Sequence, residues 1–286
     1  MKRLGLILAA AVALGELQIS HANMAAPAEP DTGSTVTFEK NEELAVTSEV
    51  LDIAVTGSMA QITVTYHMKN TTDEPVTTGS MFLSPNIGEE GVQVTADGEV
   101  LSFEEQEYRL DQADPDDWQT AVLRQAEEEK NLPDSGTVEA ILFELEFEPG
   151  EEYEVEVQYP YGLGGYPDYD FDAKRGEILY YLRPAAMWKD FGNLTINLTL
   201  DEEMPVIKSS SLEFEKVGER TYRYTSASLP EEDLRIVIDE TWFQNIFSTL
   251  RSPYLAMTLT MAAPFLVILV IAAAAVILAV RRRRKG

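Results

Sequence analysis

The residues best suited to chemistry in this 286-residue sequence are three aspartates at alternate positions, Asp168, Asp170 and Asp172. Carboxylates with this spacing converge on Ca²⁺ in Asp-x-Asp-x-Asp loops, because calcium prefers several oxygen ligands. The rest of an EF-hand is missing, since Ala173 and Leu179 stand where that loop requires glycine and glutamate. A calcium site and a solvated acidic loop are both open interpretations, and the sequence indicates no other cofactor.

Aromatic residues lie on both sides of these aspartates, in a segment rich in glycine and proline. Their rings could form a platform for a carbohydrate or a peptide, and the predicted members are Tyr166, Tyr169, Tyr181 and Trp188. Packing in the core is the competing interpretation, because large aromatic side chains bury much apolar area.

Catalytic groups are scarce. The chain has no cysteine and two histidines, His21 and His67, so neither a thiol nucleophile nor a histidine-rich zinc site is available. The many carboxylates leave one alternative open, a pair of acidic residues that hydrolyses glycosidic bonds. We therefore predict a protein that is not an enzyme, with a surface hydrolase or carbohydrate-binding module as the alternative.

The N-terminus has the order of a secretory signal. Lys2 and Arg3 precede an apolar run over residues 4–14, and small residues follow at Ser20 and Ala22. The pattern predicts a signal peptide over residues 1–22 and a flexible spacer over residues 23–43.

The C-terminus has the pattern of a membrane anchor. Residues 257–280 carry no charge and would span about 36 Å as a helix, enough to cross a hydrocarbon core of about 30 Å. Residues 281–286 form a basic tail, which indicates a cytoplasmic C-terminus and an extracellular N-terminal part. The aromatic segment 241–256 suits the headgroup region. The predicted interface residues are Trp242, Phe243, Phe247, Tyr254, Arg281, Arg282, Arg283, Arg284 and Lys285.

The part outside the membrane is strongly acidic. With both ends set aside, 15 of the 22 basic residues remain against 48 of the 49 acidic ones. Such a surface repels nucleic acid, so we predict no nucleic-acid partner. The membrane segment predicts lipids as partners, together with an unknown protein or carbohydrate at the cell surface.

Alternating apolar residues predict strands through most of this exterior part. Residues 44–56 and 59–68 alternate, and Asp97-Gly98 predicts the turn of a short hairpin. Residues 141–147 and 153–159 predict a second hairpin around Pro149-Gly150.

One segment has the spacing of a helix. Asp114 and Pro115 suit a helix start, and Trp118, Val122 and Ala126 recur at four-residue intervals. The pattern predicts a short helix that ends near residue 132.

Several short motifs follow one another over residues 44–161. They are Leu51-Asp52-Ile53, Ala60-Gln61-Ile62-Thr63-Val64, the Asn-containing turn at residues 69–76, Phe82-Leu83-Ser84-Pro85 and Pro149-Gly150-Glu151-Glu152-Tyr153. In this order they resemble the vault protein inter-alpha-trypsin (VIT) domain. The resemblance implies a sandwich-like β module without shared catalytic residues. The von Willebrand type A domain that commonly follows such modules has no counterpart here, because no Asp-x-Ser-x-Ser string occurs.

Strands are also predicted after a loop-rich boundary at residues 161–167, over residues 178–182, 194–200, 211–214, 222–224 and 234–238. Residues 162–240 are either a second β-sandwich or the closing sheet of a larger one. The sequence as a whole predicts a mainly β, extracellular β-sandwich protein with one short helix and a single C-terminal transmembrane helix. The predicted function is binding, adhesion or scaffolding at the cell membrane.

Overall fold

The computed structural model describes residues 23–25, 35–88, 90–111, 122–125, 137–163, 176–201, 206–239, 241–243, 246, 257, 260–265 and 267–268. Over these ranges the protein is mainly β, as the sequence predicts, with a short 3-10 helix at Arg183–Met187. Described residues in the range 257–268 are helical. Within the described part of the chain, no helix combines the length and the apolar character needed to cross a bilayer.

Seventeen strands are described. In chain order they are β1 (Asn23–Ala25), β2 (Thr35–Thr37), β3 (Leu44–Thr56), β4 (Met59–Asn70), β5 (Val76–Ser84), β6 (Gln93–Ala96), β7 (Glu99–Val100), β8 (Glu104–Asp111), β9 (Val122–Gln125), β10 (Thr137–Phe147), β11 (Glu152–Gly162), β12 (Gly176–Tyr180), β13 (Phe191–Leu200), β14 (Val206–Ser210), β15 (Glu215–Lys216), β16 (Thr221–Ser226) and β17 (Leu234–Asp239).

The strands form three sheets. The largest has eight strands in the order β15-β16-β13-β3-β4-β11-β6-β7, the second has six in the order β1-β5-β10-β8-β9-β2, and the third consists of β12-β17-β14. Buried residues from all three sheets belong to one hydrophobic cluster. The sheets therefore enclose a common core.

The long β3–β4 hairpin confirms the alternation seen in the sequence. Ile62, Val64 and Tyr66 face the core, whereas Gln61 and Lys69 face outward. Gly57 occupies the turn with φ of +64°, a left-handed conformation that glycine adopts without steric cost.

The hairpin at Asp97-Gly98 is also confirmed. β6 and β7 are antiparallel partners, and both turn residues have positive φ, 49° for Asp97 and 79° for Gly98. Such two-residue turns match the twist of the flanking strands, which explains their preference for this dipeptide.

The second predicted hairpin is wrong in its pairing, although both strands exist. β10 pairs with β5 and β8 in the six-stranded sheet, whereas β11 pairs with β4 and β6 in the eight-stranded sheet. The turn at Gly150 therefore carries the chain from one sheet to the other. Alternation identifies a strand and its buried face, but it does not identify the partner strand.

The helix predicted from residue 114 to residue 132 is wrong where the structure describes it. Val122–Gln125 is strand β9, which pairs with β8 on one side and β2 on the other. Leu123 is fully buried. A β-branched residue in a short apolar segment fits a half-buried sheet surface, and the pairing outweighs a weak helical spacing. The remaining predicted helical residues lie outside the described ranges.

Two further expectations differ from the structure. Strands β1 and β2 lie in the segment predicted as a flexible spacer, and Met24 and Phe38 from that segment are buried in the core. Residues 211–214 are not a strand but connect β14 to β15. The other strands predicted in the second half are present.

The second half of the chain adds three strands to the eight-stranded sheet and forms the three-stranded sheet. β13 lies parallel to β3, and β16 and β15 follow it at the edge of the same eight-stranded sheet. The three-stranded sheet contributes Ile178, Tyr180 and Ile236 to the shared core. The described strands of residues 162–240 therefore share one sheet and the hydrophobic core with the first half of the chain.

A β-bulge at Thr47 sets which residues of β3 face the core. Val46 pairs with Met68 and Ser48 pairs with His67, so the strand register pairs no residue of β4 with Thr47. The extra residue shifts the alternation of inward and outward side chains by one position. Glu49 consequently faces inward, on the same face of β3 as Leu51 and Ile53. Gly192 of β13 lies against the bulge, where a side chain would collide with the Thr47 carbonyl oxygen.

The Asn70 side chain bonds to the turn after β4 and to the turn between β10 and β11. Its amide nitrogen donates hydrogen bonds to the carbonyl oxygens of Glu74 (2.8 Å) and Glu148 (3.1 Å), and its amide oxygen accepts one from the Thr72 backbone nitrogen (2.9 Å). The side chain is fully buried. Asn70 therefore holds the turn after β4 against the crossing from β10 to β11.

We predict that Gly192→Ala destabilises the protein by about 1–3 kcal/mol, because the added methyl group overpacks the contact with Thr47. Gly79→Ala is the matched control, since Gly79 is also in a strand but its surroundings leave open space for a methyl group. Urea unfolding of the full-length protein in detergent micelles measures both changes. Equal stability of the two variants would contradict a close packing of β13 on the bulge.

Candidate functional site

Most of the predicted calcium and platform residues lie outside the described part of the chain. These are Asp168, Asp170, Asp172, Tyr166 and Tyr169, so the calcium site stays a prediction. Among the residues that the structure describes, no group of three or more acidic or histidine side chains is arranged to hold a metal ion.

The other two platform residues lie in the core. Tyr181 and Trp188 are 0% and 1% exposed, so neither offers a ring face to solvent. The Trp188 indole nitrogen donates a hydrogen bond to the Met24 carbonyl oxygen over 3.2 Å. Trp188 thus attaches strand β1 to the segment that follows the 3-10 helix.

Of the predicted membrane-interface residues, Trp242 and Phe243 are described. Their side chains are 70% and 68% exposed, and their rings meet edge to face with centroids 4.9 Å apart. Phe247, Tyr254 and residues 281–285 lie outside the described ranges.

A groove opens where the β6–β7 hairpin lies near the end of β10. Its volume is about 540 Å³, and it is bounded by the start of β11 as well. The lining residues are Ala96, Asp97, Glu99, Leu101, Ser102, Glu144, Leu145, Glu146, Phe147 and Tyr153. The groove combines an apolar lining with carboxylates from both sheets.

Hydrogen bonds and ring packing hold the groove walls in place. The Asp97 carboxylate accepts a hydrogen bond from the Glu154 backbone nitrogen (2.9 Å), which fastens the β6–β7 turn to β11. The Tyr153 ring meets the Phe147 ring edge to face at 5.0 Å, and its hydroxyl donates to the Glu151 carboxylate (3.0 Å). The ring contact links the two sheets beside the groove, and the hydrogen bonds fix the turns on either side of it.

The chemistry of the groove favours recognition of positive charge. Glu99, Glu144 and Glu146 are exposed carboxylates on facing elements, and Tyr153 supplies an aromatic ring nearby. Carboxylates attract ammonium and guanidinium groups, and aromatic faces add a cation–π attraction. Ligand pockets of soluble proteins commonly have volumes of about 300–1,000 Å³, a range that includes this groove.

A second polar feature lies inside the protein, where the Glu49 carboxylate is fully buried. The Tyr180 hydroxyl donates a hydrogen bond to it over 2.7 Å, and the Tyr66 hydroxyl lies 3.1 Å from that of Tyr180. Glu49 and Tyr66 are direct partners in the β3–β4 register, whereas Tyr180 comes from the three-stranded sheet. The cluster therefore joins two sheets through the core.

Burial controls the acidity of these hydroxyls. It raises the pKa of Tyr66 and of Tyr180 well above the ordinary value near 10, and the nearby Glu49 charge adds to the rise. Burial likewise raises the pKa of Tyr161 to about 12, although its hydrogen bond with the Leu179 backbone opposes the effect. The tyrosines of this core are therefore held in the neutral form.

Neither the groove nor the buried carboxylate was predicted from the sequence. Alternation identifies Glu144 and Glu146 as an outward face of β10, but it does not bring them close to Asp97 and Glu99. A signal for Glu49 was present, because the alternation of Leu51, Ile53 and Val55 extends backward to position 49. The bulge at Thr47 hides this phase, since residues before it alternate in the opposite phase.

Comparisons with known proteins bear on the fold. A family model described as a domain of unknown function, DUF4424, matches residues 27–106. The chain is similar to the crystal structure of a candidate nutrient-binding protein from Legionella pneumophila subsp. pneumophila strain Philadelphia 1, with 15% identity and a TM-score of 0.50. That match covers 82% of this chain and 77% of the other. No curated protein matches significantly. At this identity the likeness shows a shared fold alone.

We predict that Tyr180→Phe destabilises the protein by about 1.5–3 kcal/mol, because the buried Glu49 carboxylate loses a hydrogen bond from a hydroxyl. Tyr222→Phe is the control, since Tyr222 lies in the peripheral strand β16 and is half-buried. Denaturant midpoints of both full-length variants measure the difference. A loss of stability no larger than that of Tyr222→Phe would show that the hydrogen bond from Tyr180 to Glu49 adds little to the stability of the fold.

We also predict that stability falls as pH rises above about 10. The unfolded chain releases its tyrosine protons near pH 10, whereas folded Tyr66, Tyr161 and Tyr180 keep theirs, so the unfolded state is favoured. Each such tyrosine lowers the free energy of unfolding by about 1.4 kcal/mol per pH unit in this range. Unfolding curves between pH 8 and pH 11.5, with tyrosinate absorbance at 295 nm, test this. Unchanged stability up to pH 11.5 would contradict neutral tyrosines in the core.

Proposed function

We propose that this protein is exported, held in the cell membrane by its C-terminal segment and active as a binding module outside the cell. It performs no catalysis under this proposal. The groove between the β6–β7 hairpin and β10 is the binding site, and its size, together with its mixed apolar and acidic lining, is the observation that carries the proposal.

The anchoring part of the proposal is supported by sequence and exposure. Met261, Phe265, Val267 and Ile268 are apolar and between 57% and 69% exposed on a helical segment. Such side chains favour a hydrocarbon environment over water. The uncharged run over residues 257–280 and the basic tail after it are consistent with lipid as that environment.

The proposed ligand carries a cationic group, such as a primary amine or a guanidinium on a peptide or small nutrient. Two walls of carboxylates and the Tyr153 ring support this class. The similar Legionella structure is described as a candidate nutrient-binding protein, which agrees with a binding role. We propose in addition that the VIT-like motifs over residues 44–161 reflect a module used for assembly or recognition.

The alternative is a surface hydrolase or carbohydrate-binding module. Carboxylates from two facing walls, Glu99 and Glu144, are the observation that favours it, because glycosidases use such pairs. A general acid at neutral pH, however, needs a buried environment to keep its proton. Both side chains are exposed, so binding of a cation is the better-supported function.

Trilysine serves as the probe for this proposal. We expect it to bind the full-length protein in nanodiscs by isothermal titration calorimetry, with an affinity that falls as salt is added. Glu144→Gln should weaken binding by up to about fivefold, the equivalent of about 1 kcal/mol for one exposed ion pair. Glu213→Gln makes the same charge change in the loop before β15 and should have no effect.

Equal binding by the two variants would contradict a site in the groove. Absence of trilysine binding at low salt would contradict the cationic ligand class. Hydrolysis of an aryl glycoside by the wild-type protein, abolished in Glu144→Gln, would instead support the hydrolase.

A further inference from the structure

The strand register places the groove and the end of β17, the described strand before the proposed membrane anchor, at opposite ends of the protein. Tyr153, which lines the groove, and Gly162 lie nine residues apart on β11. At about 3.3 Å per residue they are about 30 Å apart along the strand.

Backbone contacts connect Gly162 to the end of β17, where the chain leaves the core. The carbonyl oxygen of Leu163, the next residue, accepts a hydrogen bond from the Glu177 backbone nitrogen (2.8 Å). Gly176, which precedes Glu177, pairs with Ile238, and Asp239, the last residue of β17, pairs with Val206. The strand that leads toward the anchor therefore ends beside Gly162, far from the groove.

Exposed apolar side chains lie at this end and in the segment that follows it. Met59 pairs with Gly162 and is 42% exposed, and Val206 pairs with Asp239 and is 41% exposed. Trp242 and Phe243 follow three and four residues after Asp239 and are more exposed still. Large apolar and aromatic side chains of this kind are typical of segments that lie at the headgroup level of a membrane.

We propose that this end, formed by Met59, Val206, Trp242 and Phe243, rests on the lipid surface and holds the groove about 30 Å away from it. This inference rests on the proposed membrane anchor and adds the orientation of the exterior part. The groove then opens toward the medium. Its ligand arrives from outside the cell, and the lipid headgroups do not reach it.

The acidic lining of the groove favours the orientation in which the groove faces away from lipid. The groove carries carboxylates from Asp97, Glu99 and the β10 glutamates, which anionic lipids would repel. At the proposed membrane end the exposed Lys208 pairs with Asp239 over 2.6 Å, so that charge is balanced locally.

The absence of cysteine from the sequence allows a direct test by single-site labelling. Met59→Cys and Val206→Cys place an environment-sensitive fluorophore at the proposed membrane end. Val100→Cys is the matched control, because it replaces an exposed valine of β7 beside the groove. Asp73→Cys places a label in the exposed turn after β4, at the groove end.

The four full-length variants are reconstituted into phosphatidylcholine vesicles that contain lipid with a spin label on the headgroup. We expect several-fold stronger quenching of the labels at positions 59 and 206 than of those at 100 and 73. Thermal unfolding of each variant checks that the fold is retained.

The possible failures are distinguishable. Protein that does not float with the vesicles would overturn both the anchor and the orientation. Floating protein whose four labels are quenched equally, or in the reverse order, would overturn the orientation and leave the anchor intact. Binding of trilysine in the groove is measured separately and depends on neither result.

Discussion

The packing of the sheets depends on one acidic side chain, Glu49, that is fully buried in the core. A buried carboxylate is costly unless donors surround it, and the Tyr180 hydroxyl is one donor that reaches it. Tyr180 belongs to β12, so this hydrogen bond forms only when the three-stranded sheet packs on the eight-stranded one. The bulge at Thr47 turns Glu49 inward, and Gly192 leaves the space that the bulge needs. A polar contact thus specifies how the second half of the chain closes the core.

The crossing from β10 to β11 has a comparable effect at the groove end. Because these strands belong to different sheets, their connection bridges the open end of the core and leaves room beside the β6–β7 hairpin. The buried Asn70 amide nitrogen donates hydrogen bonds to the Phe147 and Glu148 carbonyl oxygens at this crossing. The Tyr153–Phe147 ring pair also spans the two strands. Fixed walls hold the backbone from which the groove glutamates project, so the proposed binding of a ligand costs little backbone entropy.

The two ends of the protein have different chemistry for reasons that lie in the strand register. Outward glutamates of β10 and the acidic β6–β7 hairpin line the groove at one end, whereas Met59 and Val206 lie at the other. The strands between them fix the separation, because every residue of β11 adds a constant length. In the orientation proposed above, this separation keeps the groove away from the lipid surface.

The sequence by itself determined the local conformation of most described segments. Alternation in β3 and β4 and the Asp97-Gly98 turn were sufficient, because strand conformation and turn type depend on neighbouring residues. Only the tertiary structure decided that β10 and β11 belong to different sheets, that Val122–Gln125 is a strand and that Glu49 is buried. Each of these depends on contacts between residues far apart in the chain, and a period of two residues is the same whichever strand is the partner.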